Sequence, residues 1–171
     1  MNFNKFLEKN AKDDKIENIV VGAIITNEKG EIFLEKRNKN NFMGEFYELP
    51  CGKAKKDESI YDALVRGVKQ ETNMEITKIN SYVDQFDYLS GSCKKCRQFN
   101  FKVEVDSKDR ILLTEHESYK WIKLEDIEKE KGISPEVKKG LLIYVYNEFQ
   151  KNNWWRDSLK EIIIKNKVKI E

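Results

Sequence analysis

Hydrophobic positions fall into short blocks whose spacing changes along the chain. Phe3, Phe6 and Leu7 recur at helical intervals, which predicts a short leading helix over residues 2–9, followed by a polar KDDK linker. Ile19 to Ile25 is almost continuously apolar, broken only by Gly22, and predicts a strand buried on both faces. The turn NEKG (Asn27–Gly30) leads to EIFLEKR, a second strand expected to close a hairpin on the first. YELP (Tyr47–Pro50) is a short extended piece, because the proline ring keeps Leu49 out of the helical region.

Ile60, Leu64 and Val68 mark the apolar stripe of a helix over 59–72, with Ser59 as its cap. Gly67 sits inside that helix at a cost of roughly 1 kcal/mol relative to alanine. Strands are predicted at about 78–88 and 97–105. In the second, Phe99, Phe101, Val103 and Val105 alternate with Gln98, Asn100, Lys102 and Glu104. ILLT and YKWIK are further short strand candidates, separated by EHES. Ser134-Pro135 opens a helix whose buried face is Val137, Leu141, Tyr144 and Val145, despite Gly140. Trp155, Leu159, Ile162 and Ile163 repeat the spacing in a final helix. Strands, helix, strands, helices in that order predict an α/β fold with a mixed sheet sandwiched between helices.

Composition narrows the class. A chain of 171 residues, 39% hydrophobic and 36% charged, suits one globular domain with an ionic surface. The net charge of +2 gives no reason to expect nucleic-acid or membrane binding. No apolar run nears the ~18 residues of a membrane span, and the N-terminus has no apolar signal core, so a cytoplasmic location is expected. Cys51, Cys93 and Cys96 make no disulfide framework. Cys93-Lys-Lys-Cys96 alone lacks two of the four ligands that structural zinc requires.

The chemistry lies in one segment, YELP-C-GKAKKDE-SIYDALV-RGVKQETNM. Gly52 is followed six residues later by Glu58, Arg66 comes eight residues after that, and Glu71 lies on the same helix. This spacing resembles the Nudix box, the signature of hydrolases acting on nucleoside diphosphates linked to another group. Gly52, Glu58, Arg66, Val68, Glu71 and Met74 match the pattern, whereas Gly67, Gln70 and Asn73 depart from it. The preceding hairpin, the YELP entry, the RQFNF strand and the EHESYKW segment extend the resemblance over about residues 18–128. It implies a Nudix-type α/β/α sandwich with a mixed β-sheet, one domain over 1–171, and C-terminal helices at about 134–165.

What the resemblance implies for function is metal-assisted hydrolysis of a nucleoside diphosphate derivative. Mg2+ or Mn2+ would neutralise the diphosphate and activate the attacking water, using hard oxygen ligands. By the same resemblance Glu71, Gln70, the Gly52 carbonyl and Glu115 would hold the metal. Glu71, Arg66, Glu58 and Glu117 would form the catalytic set, with Glu58 and Arg66 tying loop to helix. Lys53 and Arg37 would meet substrate phosphate. Three carboxylates of the family's helical turn fall at Gly67, Gln70 and Glu71, so only one remains here. Two readings follow: a hydrolase of reduced or altered efficiency, and a silent nucleotide-binding or sensor module. A third class, an interaction domain built on Trp154 and Trp155, rests on the C-terminal residues alone. The expected partner is a small nucleotide, with no nucleic acid and no membrane, and the family also admits a homodimer.

Overall fold

A computed structural model of the chain describes residues 3–106 and 111–151. Helix α1 (Phe3–Asp13) precedes strands β1 (Asn18–Ile25), β2 (Ile32–Arg37), β3 (Tyr47–Glu48) and β4 (Cys51–Lys53). Helix α2 (Ile60–Thr72) leads to the long strands β5 (Ile76–Leu89) and β6 (Lys95–Val105), then β7 (His116–Ile122) and helix α3 (Pro135–Lys151). A four-stranded mixed sheet runs β4-β1-β6-β5, with β1 and β6 parallel, and a three-stranded antiparallel sheet runs β3-β2-β7.

Period-two alternation places a core on either side of the sheets. Val21, Ala23, Ile25, Phe33, Phe99, Phe101 and Val103 pack with Leu7 of α1 and with Ile60, Leu64 and Val68 of α2. Ile24, Ile32, Leu34 and Ile122 face the other way and pack against Val137, Leu141, Tyr144 and Val145 of α3. The α/β/α sandwich follows from that division of neighbouring residues. Among the described residues no helix is long and apolar enough to cross a membrane.

Several local expectations need correction. The NEKG turn forms, with Asn27 Oδ1 accepting from the Lys29 and Glu31 amides, but no hairpin ladder follows it. Only Thr26 and Ile32 bridge. Both edges of β1 are taken by β4 and β6, and β2 pairs instead with β3 and β7. ILLT is not a strand, because it caps α2: the Leu112 amide donates to Thr72 O at 3.0 Å, and Thr114 Oγ1 donates to Gln70 O at 2.8 Å. The EHES residues from His116 onward lie within β7. Helix α1 continues through the first half of the KDDK linker.

The polar side of β6 is also covered. Gln98 and Asn100 are buried, Gln98 Nε2 donating to Asn100 Oδ1 and Asn100 Nδ2 to Asp84 Oδ1, each at 2.9 Å. Gly140 brings α3 onto this patch, since a Cβ there would stand 2.5 Å from Asp84 Oδ2. The proposed final helix around Trp155 and Ile163 lies outside the described residues.

Candidate active site

Helix α2 begins at Ser59, whose hydroxyl accepts from the Asp62 amide at 3.1 Å. It ends at Asn73, a left-handed cap (φ 64°) whose amide donates to Lys69 O. Asparagine tolerates that conformation better than most residues, so Asn73 does the backbone work of the glycine it replaces. Between the caps α2 presses on β4. A Cβ at Gly67 would lie 2.4 Å from Gly52 Cα and 2.6 Å from Cys51 O. Overpacking of that kind costs about 1–3 kcal/mol, more than the ~1 kcal/mol of helix propensity that glycine forfeits. Gly67 is therefore a contact between helix and strand. One turn later the same contact brings Glu71 against β4, where Oε2 accepts from the Cys51 amide at 2.6 Å.

On the outer side of α2, Arg66 forms a clamp. Its Nε and Nη2 donate to the two Glu58 oxygens at 2.6 and 2.8 Å, and Nη2 also donates to Lys53 O at 2.8 Å. Nη1 donates to Gln70 Oε1 at 2.8 Å. The Arg66 hydrogen bonds, reinforced by the Lys55 amide, hold the Glu58 carboxyl at about 2. The Gln70 side-chain oxygen is thus already engaged by a cation.

The remaining charges of this region are buried or half-buried. Glu35, central in β2, is wholly inaccessible. His116 Nδ1 lies 2.9 Å from Glu35 Oε2, and His116 Nε2 lies 2.9 Å from Glu48 Oε1. The contact to Glu35 has ion-pair distance but poor alignment, so it does not count as a directed hydrogen bond. Arg37 Nη1 donates to both Glu48 oxygens at 2.8 and 2.6 Å. Burial, then the neighbouring Glu35 charge, pushes the Glu71 carboxyl up to about 8. Burial likewise raises Glu35. For His116 burial opposes the charge, but the contacts with Glu35 and Glu48 outweigh it and raise the ring to about 10.

A cleft of about 710 Å³ opens over this region. Arg37, Gly52, Lys53, Arg66, Gln70, Glu71 and Glu115 line it, and Lys55 and Lys56 extend its cationic wall. Glu58 reaches the cleft only through Arg66. Glu117 is turned toward the Lys36–Lys39 side, where its carboxylate accepts from the Lys39 amide at 3.1 Å. Residues that sequence reasoning did not assign to the site are Glu35, Glu48 and His116. The signal for Glu35 was its register with the buried Phe33 after the apolar start of β2, which turns its carboxylate inward.

One ligand atom each from Glu35, Glu71 and His116 lies within 4.8 Å of the others. A buried and a half-buried carboxylate, both with raised proton affinity, fit a hard divalent cation, which would relieve their repulsion. His116 does not fit that role, because carboxylates already face both of its nitrogens.

Residues 17–141 match the family model described as NUDIX domain. The 8-oxo-dGTP diphosphatase of Buchnera aphidicola subsp. Schizaphis graminum is 31% identical over 113 residues, 66% of this chain and 82% of that protein. The MutT protein of Methanosarcina mazei superposes with a TM-score of 0.64 at 28% identity, covering 80% of this chain and 94% of the other. The ORF135 protein of E. coli shares the fold, with a TM-score of 0.65 at 23% identity over 78% and 92% of the two chains.

Proposed function

This chain belongs to the Nudix family of hydrolases, and we propose that it hydrolyses a nucleoside diphosphate derivative with Mg2+ or Mn2+ in the cytoplasm. The name of the Buchnera relative makes 8-oxo-dGTP the first substrate to try. The observation that carries the reading is Glu71, the box carboxylate that survives, held by the Cys51 amide at 2.6 Å in a cleft walled by Arg37, Lys53, Lys55, Lys56 and Arg66.

A bound divalent cation would supply charge neutralisation at the diphosphate and a more acidic water. The protein's own part is positional. Glu71 offers a carboxylate whose orientation is set by the Cys51 amide. Gly52 and Glu115 stand along the same cleft as further oxygen donors. The Glu58–Arg66 clamp ties the loop after β4 to α2, keeping Lys53 and the Gly52 backbone beside the helix. Arg37, fixed by Glu48, and Lys53 present positive charge to phosphate oxygens.

Binding without turnover is favoured by one specific observation: Gln70 Oε1 is occupied by Arg66 and Gly67 has no room for a side chain, so the turn offers a single carboxylate. A panel of nucleoside triphosphates (8-oxo-dGTP included), nucleotide sugars and dinucleoside polyphosphates, incubated with Mg2+ or Mn2+, separates the two. Hydrolysis that Glu71→Gln abolishes supports the enzyme. Micromolar binding with no product from any member supports the binding module instead.

A further inference from the structure

Helix α2 cannot supply a second carboxylate in its present position. The space beyond the Gly67 Cα is filled by the backbone of Cys51 and Gly52, and Gln70 is turned to Arg66. Negative charge reaches Glu71 from a different element. Glu35 is 0% exposed, and its Oε1 has no hydrogen-bond partner among the described residues. Its backbone lies in the middle strand of the three-stranded sheet, with Glu48 of β3 on one edge and Tyr119 of β7 on the other. Pairing on both sides fixes where the carboxylate stands, which is the condition for a preorganised ligand. His116 Nδ1 faces Oε2 at 2.9 Å and leaves Oε1 open, and a buried carboxylate oxygen with no partner is disfavoured unless a further cation or a proton meets it. Here a ligand atom of Glu35 comes within 4.8 Å of one on Glu71.

We infer that Glu35 is a metal ligand, delivered by β2 and working with Glu71 in place of the carboxylates missing from the α2 turn. His116 is the positioning residue for this pair. With one nitrogen at 2.9 Å from Glu35 and the other at 2.9 Å from Glu48, it steadies the Glu35 carboxylate from the side. The inference rests on the metal-dependent reading of Glu71 given above.

Titration of the metal-free full chain with Mn2+, followed by the electron paramagnetic resonance signal of the free ion, tests it without any substrate. Both Glu35→Gln and Glu71→Gln are expected to weaken Mn2+ binding at least about 10-fold. Glu104→Gln, on the exposed end of β6, is expected to leave it unchanged. Mn2+ should also raise the thermal midpoint of the wild type and not that of Glu35→Gln. Normal binding by Glu35→Gln together with loss in Glu71→Gln would overturn the role of Glu35 and spare the metal site at Glu71. Normal binding in both would overturn the metal reading itself. Should Glu35→Gln fail to fold, Glu35→Asp keeps the charge and withdraws the oxygens by one methylene. Weakened binding there supports the role, and unchanged binding overturns it.

Discussion

Glu58 and Glu71 are both box carboxylates, and their surroundings are opposite. Glu58 accepts two hydrogen bonds from Arg66 and one from the Lys55 amide, and its carboxyl is held at about 2. Glu71 has one backbone donor, lies beside another carboxylate, and is pushed up to about 8. Glu58 has its countercharge built into the chain, whereas Glu71 and Glu35 share one nearby cation, His116, which Glu48 also draws on. A satisfied ion pair fixes a loop, and an unsatisfied carboxylate pair is a place for a cation. The same residue type therefore serves as scaffold at one end of α2 and as a candidate ligand at the other.

Removing one charge from each region should separate them. Glu71→Gln is expected to lower nucleotide turnover by about 10²–10⁴-fold, with the thermal midpoint of the metal-free protein at neutral pH unchanged or raised, never lowered. Glu58→Gln should do the reverse, costing about 1 kcal/mol or less of stability and reducing turnover far less. Equal losses of turnover in the two variants would erase the distinction.

Gly67→Ala probes the contact that joins the regions. The added methyl would meet backbone at 2.4–2.6 Å, an overpacking cost of about 1–3 kcal/mol that exceeds the helix-propensity gain. The thermal midpoint should fall, by about 2–4 °C for each net kcal/mol. A rise would show that α2 does not lie so close to β4.

The pH dependence of stability sharpens the contrast because the two shifts have opposite signs. Glu58 sits below its ordinary 4.5, so its contribution is complete above that value and lost as pH falls toward 2. Glu71 sits above 4.5, so stability linked to it is complete below 4.5 and lost as pH rises through 8. His116, raised from 6.5 to about 10, adds a loss in the same direction over that higher window. In chelator, the thermal midpoint should decline from pH 4.5 upward, and Glu71→Gln should flatten the part of the decline below pH 8. Smallest of all, Asn73→Gly should change stability by only a few tenths of a kcal/mol, since either residue accepts the left-handed cap.

Much of this was legible in the residue order. The α2 stripe, its Ser59 cap, the β6 alternation and the opening of α3 at Ser134 follow from local periodicity and capping. The missing hairpin was not legible, because β1 exchanges its neighbour for β4 and β6 only after the chain has returned from far downstream. ILLT has strand-like residues, but the unmet carbonyls at the end of α2 claim Leu112 and Thr114. Within the candidate site, spacing singled out Glu58, Arg66 and Glu71 because they share one loop and one helix. Glu35 and His116 lie on neighbouring strands of the three-stranded sheet and meet Glu71 of α2, and no spacing along the chain records such a meeting. Gly67 was readable as an expense in the helix. Its cause, the backbone of Gly52, appears only when strand and helix are packed.

The most direct test of the account is a crystal structure of the full chain with Mn2+ and a non-hydrolysable nucleotide, located by anomalous scattering. The account predicts an ion with oxygen ligands from both Glu71 and Glu35. An ion held away from Glu71, by Gln70 or Glu115 without it, would contradict the account.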